Sequence, residues 1–291
     1  MAGLRDIKRR LQSVKNTKKI TYAMKLVSAA KLRRAQEAVA KARDYTKSLG
    51  QIVETLAVEA GGSIGTHPLC ETRSQIKTIG LAIVGGGRGL CGGYNTNVNR
   101  RIESAIAELK AEYPGVEIKI YILGKKPAEY CRRTTRAVEK SYEDLPEDPT
   151  KWPLNEFNAQ LEHDFVNGNV DKVYLIYTKF FSALTMTVEC SQILPKTVEL
   201  STIKGDTKTK IEPDPRSVFL AAIARSFRAE VLQACLDAKA SETASRMTAM
   251  DSATKNAGDL IKRLQLTYNK LRQAGITAEL LDIIGGAEAI Q

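Results

Sequence analysis

The sequence predicts an α/β protein in which long N- and C-terminal helices form an antiparallel coiled coil around a small central α/β domain. Three observations carry this expectation. All nine prolines lie between Pro68 and Pro215, so both chain ends lack the residue that breaks helix interiors at about 3 kcal/mol. Both ends are rich in Ala, Leu, Lys, Arg, Glu and Gln, which favour helix, and space apolar residues in alternating steps of three and four. The middle third alternates strand-like with helix-like segments. The chain accordingly divides into residues 1–62, 76–205 and 213–287.

The N-terminal stripe begins with Leu4, Ile7, Leu11 and Val14. It is read onward through Ile20, Met24 and Val27 with a slip near residues 14–20, a stutter in coiled-coil terms. It then resumes at Ala35, Ala38, Ala42, Tyr45, Leu49, Ile52 and Leu56, and Gly61-Gly62 ends the helix. In the middle third, 76–84, 116–123, 172–178 and 185–194 read as strands. Residues 95–112, 127–138 and 154–166 read as helices. Strands alternating with helices give a Rossmann-like, mainly parallel sheet, with the last strand antiparallel because little chain separates it from its predecessor. Asp214-Pro215 supplies an N-cap and a first-turn proline for the C-terminal helix. Its seam is Met247, Met250, Thr254, Ala257, Ile261, Leu264, Tyr268 and Leu271, closed by Gly285-Gly286. Unbroken, the two terminal helices would span roughly 85 and 105 Å. A 291-residue globule is only about 50 Å across, so such helices must project and pair. Breaks at Gly50, Gly258 and Gly275 would instead give an ordinary bundle.

Charge is unevenly placed. Residues 1–50 hold fourteen Lys/Arg against three acids, and this +11 equals the formal charge of the whole chain. A basic arm suits phosphate neutralisation, but it carries only Tyr22 and Tyr45 as stacking rings, and an apolar stripe runs through it. The competing reading is a basic helix set against acidic protein surfaces. No apolar run reaches the roughly 20 residues of a membrane span, and the N-terminus lacks a signal-peptide apolar segment. Five scattered cysteines suit reduced thiols. His67 and His163 lack metal-ligand spacing, so no metal is expected.

The sharpest enzyme-like signal is Gly87-Arg-Gly-Leu-Cys-Gly92, a G-x-G-x-x-G between a strand and a helix. Dinucleotide binding also needs an acid at the end of the second strand; there the chain reads Leu123-Gly-Lys-Lys126. A turn that uses glycine for its geometry is the preferred reading, with no cofactor. Cys91 is read as a buried thiol rather than a nucleophile.

Four blocks resemble the gamma subunits of F-type ATP synthases: Asn16-Thr-Lys-Lys-Ile-Thr-Tyr-Ala-Met-Lys-Leu-Val27, Arg88-Gly-Leu-Cys-Gly-Gly-Tyr-Asn95, Arg246-Met-Thr-Ala-Met-Asp-Ser-Ala-Thr-Lys-Asn-Ala257 and Tyr268-Asn-Lys-Leu-Arg-Gln-Ala-Gly-Ile-Thr-Ala-Glu-Leu280. The resemblance runs from Met1 to about Ile290. It implies a non-catalytic central rotor shaft that couples proton-driven rotation of the c ring to conformational change at the beta subunits. The implied partners are the alpha and beta subunits, the epsilon subunit and the c-subunit ring, with no nucleic acid and only indirect membrane contact. By motif, Met24, Lys18 and Lys19, with Arg272, Gln273 and Thr277, would face the beta subunits. Leu280, Leu281, Ile283 and Ile284 would sit in an apolar collar. Residues 195–215 are short and cysteine-free, so thiol regulation is not expected. A chain beginning Met-Ala-Gly, without a presequence, is expected in a bacterium, on the cytoplasmic face of its inner membrane.

Overall fold

The computed structural model describes residues 3–59, 67–197 and 211–288. Helix α1 is Leu4–Glu59 and helix α5 is Pro215–Glu288. Between them lie β1 (Thr78–Val84), α2 (Tyr94–Glu112), β2 (Glu117–Leu123), α3 (Lys125–Arg133), β3 (Lys140–Tyr142), α4 (Leu154–Val166), β4 (Lys172–Phe180) and β5 (Met186–Leu194). The chain forms two compact units, residues 30–245 and the paired ends 1–29 and 246–291. Neither terminal helix breaks at its internal glycines. Gly50 and Gly275 meet nothing that a Cβ would strike, and Gly258 has only the end of Lys18 nearby. Asp214 caps α5 as expected, its carboxylate accepting from the Ser217 amide at 2.9 Å. Gly285-Gly286 does not close α5, which continues to Glu288. Gly61-Gly62 lies outside the described residues.

In residues 30–245 the strand order is β3-β2-β1-β4-β5, parallel except for antiparallel β5. Successive side chains point to opposite faces, and each face has its own core. Ile79, Leu81, Ile83, Ile120 and Ile122 pack with Val98, Ile102 and Ile106 of α2 and Ala128 and Cys131 of α3. Ala82, Val84, Tyr121, Val173 and Leu175 pack with α4 and with Val53 and Leu56 of α1. Phe219, Ile223, Phe227 and Val231 of α5 complete that side. Burial on both faces explains why β1 reads as a continuous apolar run.

Two middle elements differ from the sequence reading. Helix α3 ends at Arg133, not 138, because Thr135 adopts φ 53°, a left-handed conformation that a β-branched residue rarely takes. Strand β3 was not expected: Lys140-Ser-Tyr142 is a three-residue polar edge strand with no alternating pattern to reveal it.

Of the three glycines in the 87–92 motif, only Gly92 holds a conformation that favours glycine (φ 56°), and non-glycine Leu90 shares it at 61°. Gly87 and Gly89 have open space where a Cβ would go, whereas one on Gly85 would meet Pro127 Cγ at 2.7 Å. Gly89→Ala should therefore shift stability by less than about 0.5 kcal/mol. A urea midpoint indistinguishable from wild type would bear this out; a fall of 2 kcal/mol would contradict it.

Candidate partner-binding surface

The buried seam of α1 differs from the stripe read in the sequence. Thr21 is 8% exposed and Ser28 3%, whereas Ile20 is 60% and Val27 56% exposed. From Ile7 and Leu11 the three-four alternation continues through Val14, Lys18, Thr21, Lys25 and Ser28 without a slip. In residues 30–59 it runs through Leu32, Val39, Leu49, Val53 and Leu56, all buried. The stutter disappears because the seam accepts small hydroxyls and lysine stems. An apolar-only criterion had followed Ile20 and Val27 onto the outer face, and Tyr45 and Ile52 likewise.

In the paired-ends unit, polar contacts set the register. Thr254 Oγ1 donates to Thr21 Oγ1 at 2.8 Å, and Lys25 Nζ meets Asp251 at 2.6 Å. Lys255 adds a second contact at 2.8 Å. Hydrogen bonds from Lys25 and then Lys255 hold the Asp251 carboxyl down at about 2. The α5 seam follows the expected positions: Met250, Ala257 and Leu264 are buried, and Met247, Thr254, Ile261, Tyr268 and Leu271 are partly so.

This register separates the named contact residues into two patches. Lys18 and Lys19 are exposed and Met24 is half-buried, and beside them lie the exposed apolar side chains Ile20, Tyr22, Leu26 and Val27. That apolar band was missed because Ile20 and Val27 had been placed in the seam; extending the Ile7–Leu11–Val14 spacing unbroken would have turned them outward. Arg272, Gln273 and Thr277 lie about 20 residues further along α5, roughly 30 Å by helical rise, and are exposed. The same pairing puts Leu4 opposite about residue 272, so later turns of α5 extend past the described start of α1. There Ile276, Leu280, Leu281, Ile283 and Ile284 are all more than half exposed. Two exposed apolar patches on the paired ends mark surfaces suited to cover by another molecule.

In residues 30–245, Glu147 lies between Lys31 at 3.1 Å and Lys239 at 3.2 Å. Burial pushes its carboxyl up, but Lys239 and Lys31 outweigh it and hold the group below its usual range. Arg43 reaches Asp237 at 3.2 Å and donates to the Phe180 carbonyl at 3.0 Å. Burial raises the Asp237 carboxyl in spite of Gln233 and Arg43.

Cys91 is buried, with Asn95 Nδ2 at 3.2 Å from its sulfur, and the described residues hold no cluster of three metal-ligating side chains. Among them no helix is long and apolar enough to cross a membrane.

A family model described as ATP synthase matches residues 3–290. The chain is 38% identical over 317 residues to an ATP synthase gamma chain of Nostoc sp., covering all of both chains. It is 37% identical over 298 residues to that of Heliobacterium modesticaldum, again covering all of both. Among solved structures it resembles a chain of the Euglena gracilis mitochondrial ATP synthase OSCP/F1/c-ring assembly. The TM-score is 0.67 at 20% identity, covering 99% of this chain and 94% of that one. A chain of the Tetrahymena thermophila central stalk/c-ring structure matches with TM-score 0.59 at 23% identity, covering 80% of this chain and 99% of that one. At these identities the structural likeness concerns the fold.

Proposed function

The chain belongs to the ATP synthase gamma-chain family, and from that premise we propose that it is the central rotor shaft of an F-type ATP synthase, coupling proton-driven rotation of the c ring to conformational change at the beta-subunit catalytic sites. It performs no bond chemistry itself and sits peripherally, on the cytoplasmic face of a bacterial inner membrane. Its partners are the alpha, beta and epsilon subunits and the c ring.

The observation that carries the reading is the outward apolar band of Ile20, Tyr22, Leu26 and Val27, set among Lys18, Lys19 and half-buried Met24. Apolar contact with flanking positive charge suits acidic stator segments, where charge orients more than it binds. Arg272, Gln273 and Thr277 form a second contact level. Leu280 and Ile284, with Leu281 and Ile283, form a weakly charged tip that turns without strong ion pairs to hold it.

Reconstitution with alpha and beta subunits tests this: ATP hydrolysis should depend on adding the chain. Met24→Lys should lower proton-coupled synthesis severalfold while leaving the melting temperature of the chain nearly unchanged. Normal coupled synthesis in that variant would remove Met24 from the stator contact.

A further inference from the structure

Along Phe219, Ile223, Phe227 and Val231, helix α5 is held to the α/β body by apolar packing. The next turns, still within residues 30–245, change in kind. Asp237 is 2% exposed, Ser241 0%, Glu242 4% and Thr243 2%. Burying such groups costs stability that alanine would spare. Buried Ala238, Ala240 and Ala244 beside them show that alanine fits this stretch. The polar side chains therefore point to a task that apolar packing does not perform.

Their partners come from α1, α2, β4 and the loop after β3. Asp237 meets Arg43 of α1 at 3.2 Å, and the same guanidinium donates to the Phe180 carbonyl at the end of β4 at 3.0 Å. Tyr94, at the start of α2, donates its hydroxyl to the Ala238 carbonyl at 3.2 Å. Lys239 meets Glu147, which also holds Lys31 of α1. Ser241 Oγ donates to the Thr178 carbonyl of β4 at 3.1 Å. At about 100° per residue, positions 237, 238 and 239 face three directions around the α5 axis. Apolar packing is non-directional and lets a helix roll. Hydrogen bonds weaken steeply once misaligned, and partners on three sides oppose a turn in either sense.

We propose that residues 237–241 form a torsion collar. Tyr94, Arg43, Glu147 and Ser241 are its positioning residues: they fix the rotational setting of α5 against the α/β body, so that turning force passes between the two without slip. The collar rests on the rotor reading, since a protein that is turned needs this setting held more tightly than folding requires. Through Arg43 and the Lys31–Glu147 pair, α1 is fixed in the same grip.

The test uses the full chain assembled with alpha and beta subunits and arrested with a non-hydrolysable nucleotide. A bead is tethered to α3, which packs on the sheet face opposite α5, and its angular fluctuation is recorded. The mean-square width varies inversely with torsional stiffness. Tyr94→Phe/Ser241→Ala removes only two hydroxyls but two of these four polar links to α5, so the width should rise about twofold. Glu147→Ala, at a side chain 47% exposed, should widen it by about a third. That single variant decides the matter if the double variant fails to assemble. Melting temperature and unloaded ATP hydrolysis should stay near wild type, whereas a role confined to folding would lower the first and leave the width alone. Arg228→Gln breaks the surface pair with Glu162, away from the collar, and should leave the width unchanged. Wild-type widths in the collar variants, or equal widening in Arg228→Gln, would overturn the proposal. Hydrolysis that does not depend on adding the wild-type chain would instead remove the rotor reading, and the collar with it.

Discussion

Gly124→Ala should destabilise residues 30–245 by about 4 kcal/mol, lowering the melting temperature by roughly 8–16 °C. Gly124 sits at φ 125°, and an added Cβ would lie 2.5 Å from the Gly85 carbonyl oxygen and 2.9 Å from its carbon. The obstacle is backbone, and that backbone is tied down on all sides. Gly85 N–H donates to Leu123 O, Gly124 N–H to Tyr142 O and Lys126 N–H to Gly86 O, each at 2.9 Å. Relief would therefore separate the ends of β1, β2 and β3. Trp152 fluorescence during urea unfolding reads the same unit. A Gly124→Ala midpoint as little changed as that expected for Gly89→Ala would show that the strand ends yield.

Arg43→Ala should cost about 2 kcal/mol, the scale for stranding a buried charged acceptor, and the cost should grow with pH. Asp237 would keep Gln233 at 2.9 Å and lose its cation, and the Phe180 carbonyl would lose its guanidinium donor. Burial already raises the Asp237 carboxyl, and without Arg43 it would rise further. A raised carboxyl favours the folded state fully below its ordinary value of about 3.9. That contribution is lost as pH climbs through the folded value. The variant should thus lie closer to wild type at pH 5 than at pH 8, as measured by urea unfolding at both. An equal or smaller deficit at pH 8 would mean that solvent, not Arg43, balances Asp237.

Much of this architecture was legible because strong local signals agreed. Proline placement, the Asp214 cap and the α5 seam reported on helices that the structure keeps. β1 and β4 were visible because residues such as Ile79, Leu81 and Val173 must be apolar to lie within a doubly covered sheet. Legibility failed where polar atoms do the packing. Thr21, Ser28 and the half-buried stem of Lys25 lie in the α1 seam, so hydropathy traced the wrong face and hid the surface band. Edge strand β3 is held by backbone bonds that Lys140-Ser-Tyr142 does not advertise. The positions carried over by motif, such as Lys19, Arg272 and Leu280, came from likeness; only the coordinates show that they fall in two patches.

The covering of the sheet also has a consequence in time. The face lined by α2 and α3 is closed by segments made alongside its strands. The other face needs Phe219, Ile223, Phe227, Val231 and Ala238, which are translated after every strand is complete. At roughly 5–20 residues per second, some 60 residues separate Leu175 from Ala238, a delay of about 3 to 12 s. For that interval a half-core waits on the ribosome covered only in part, by α1 and α4, so the nascent chain, rather than the mature protein, is where this fold is most exposed to aggregation and most dependent on a chaperone.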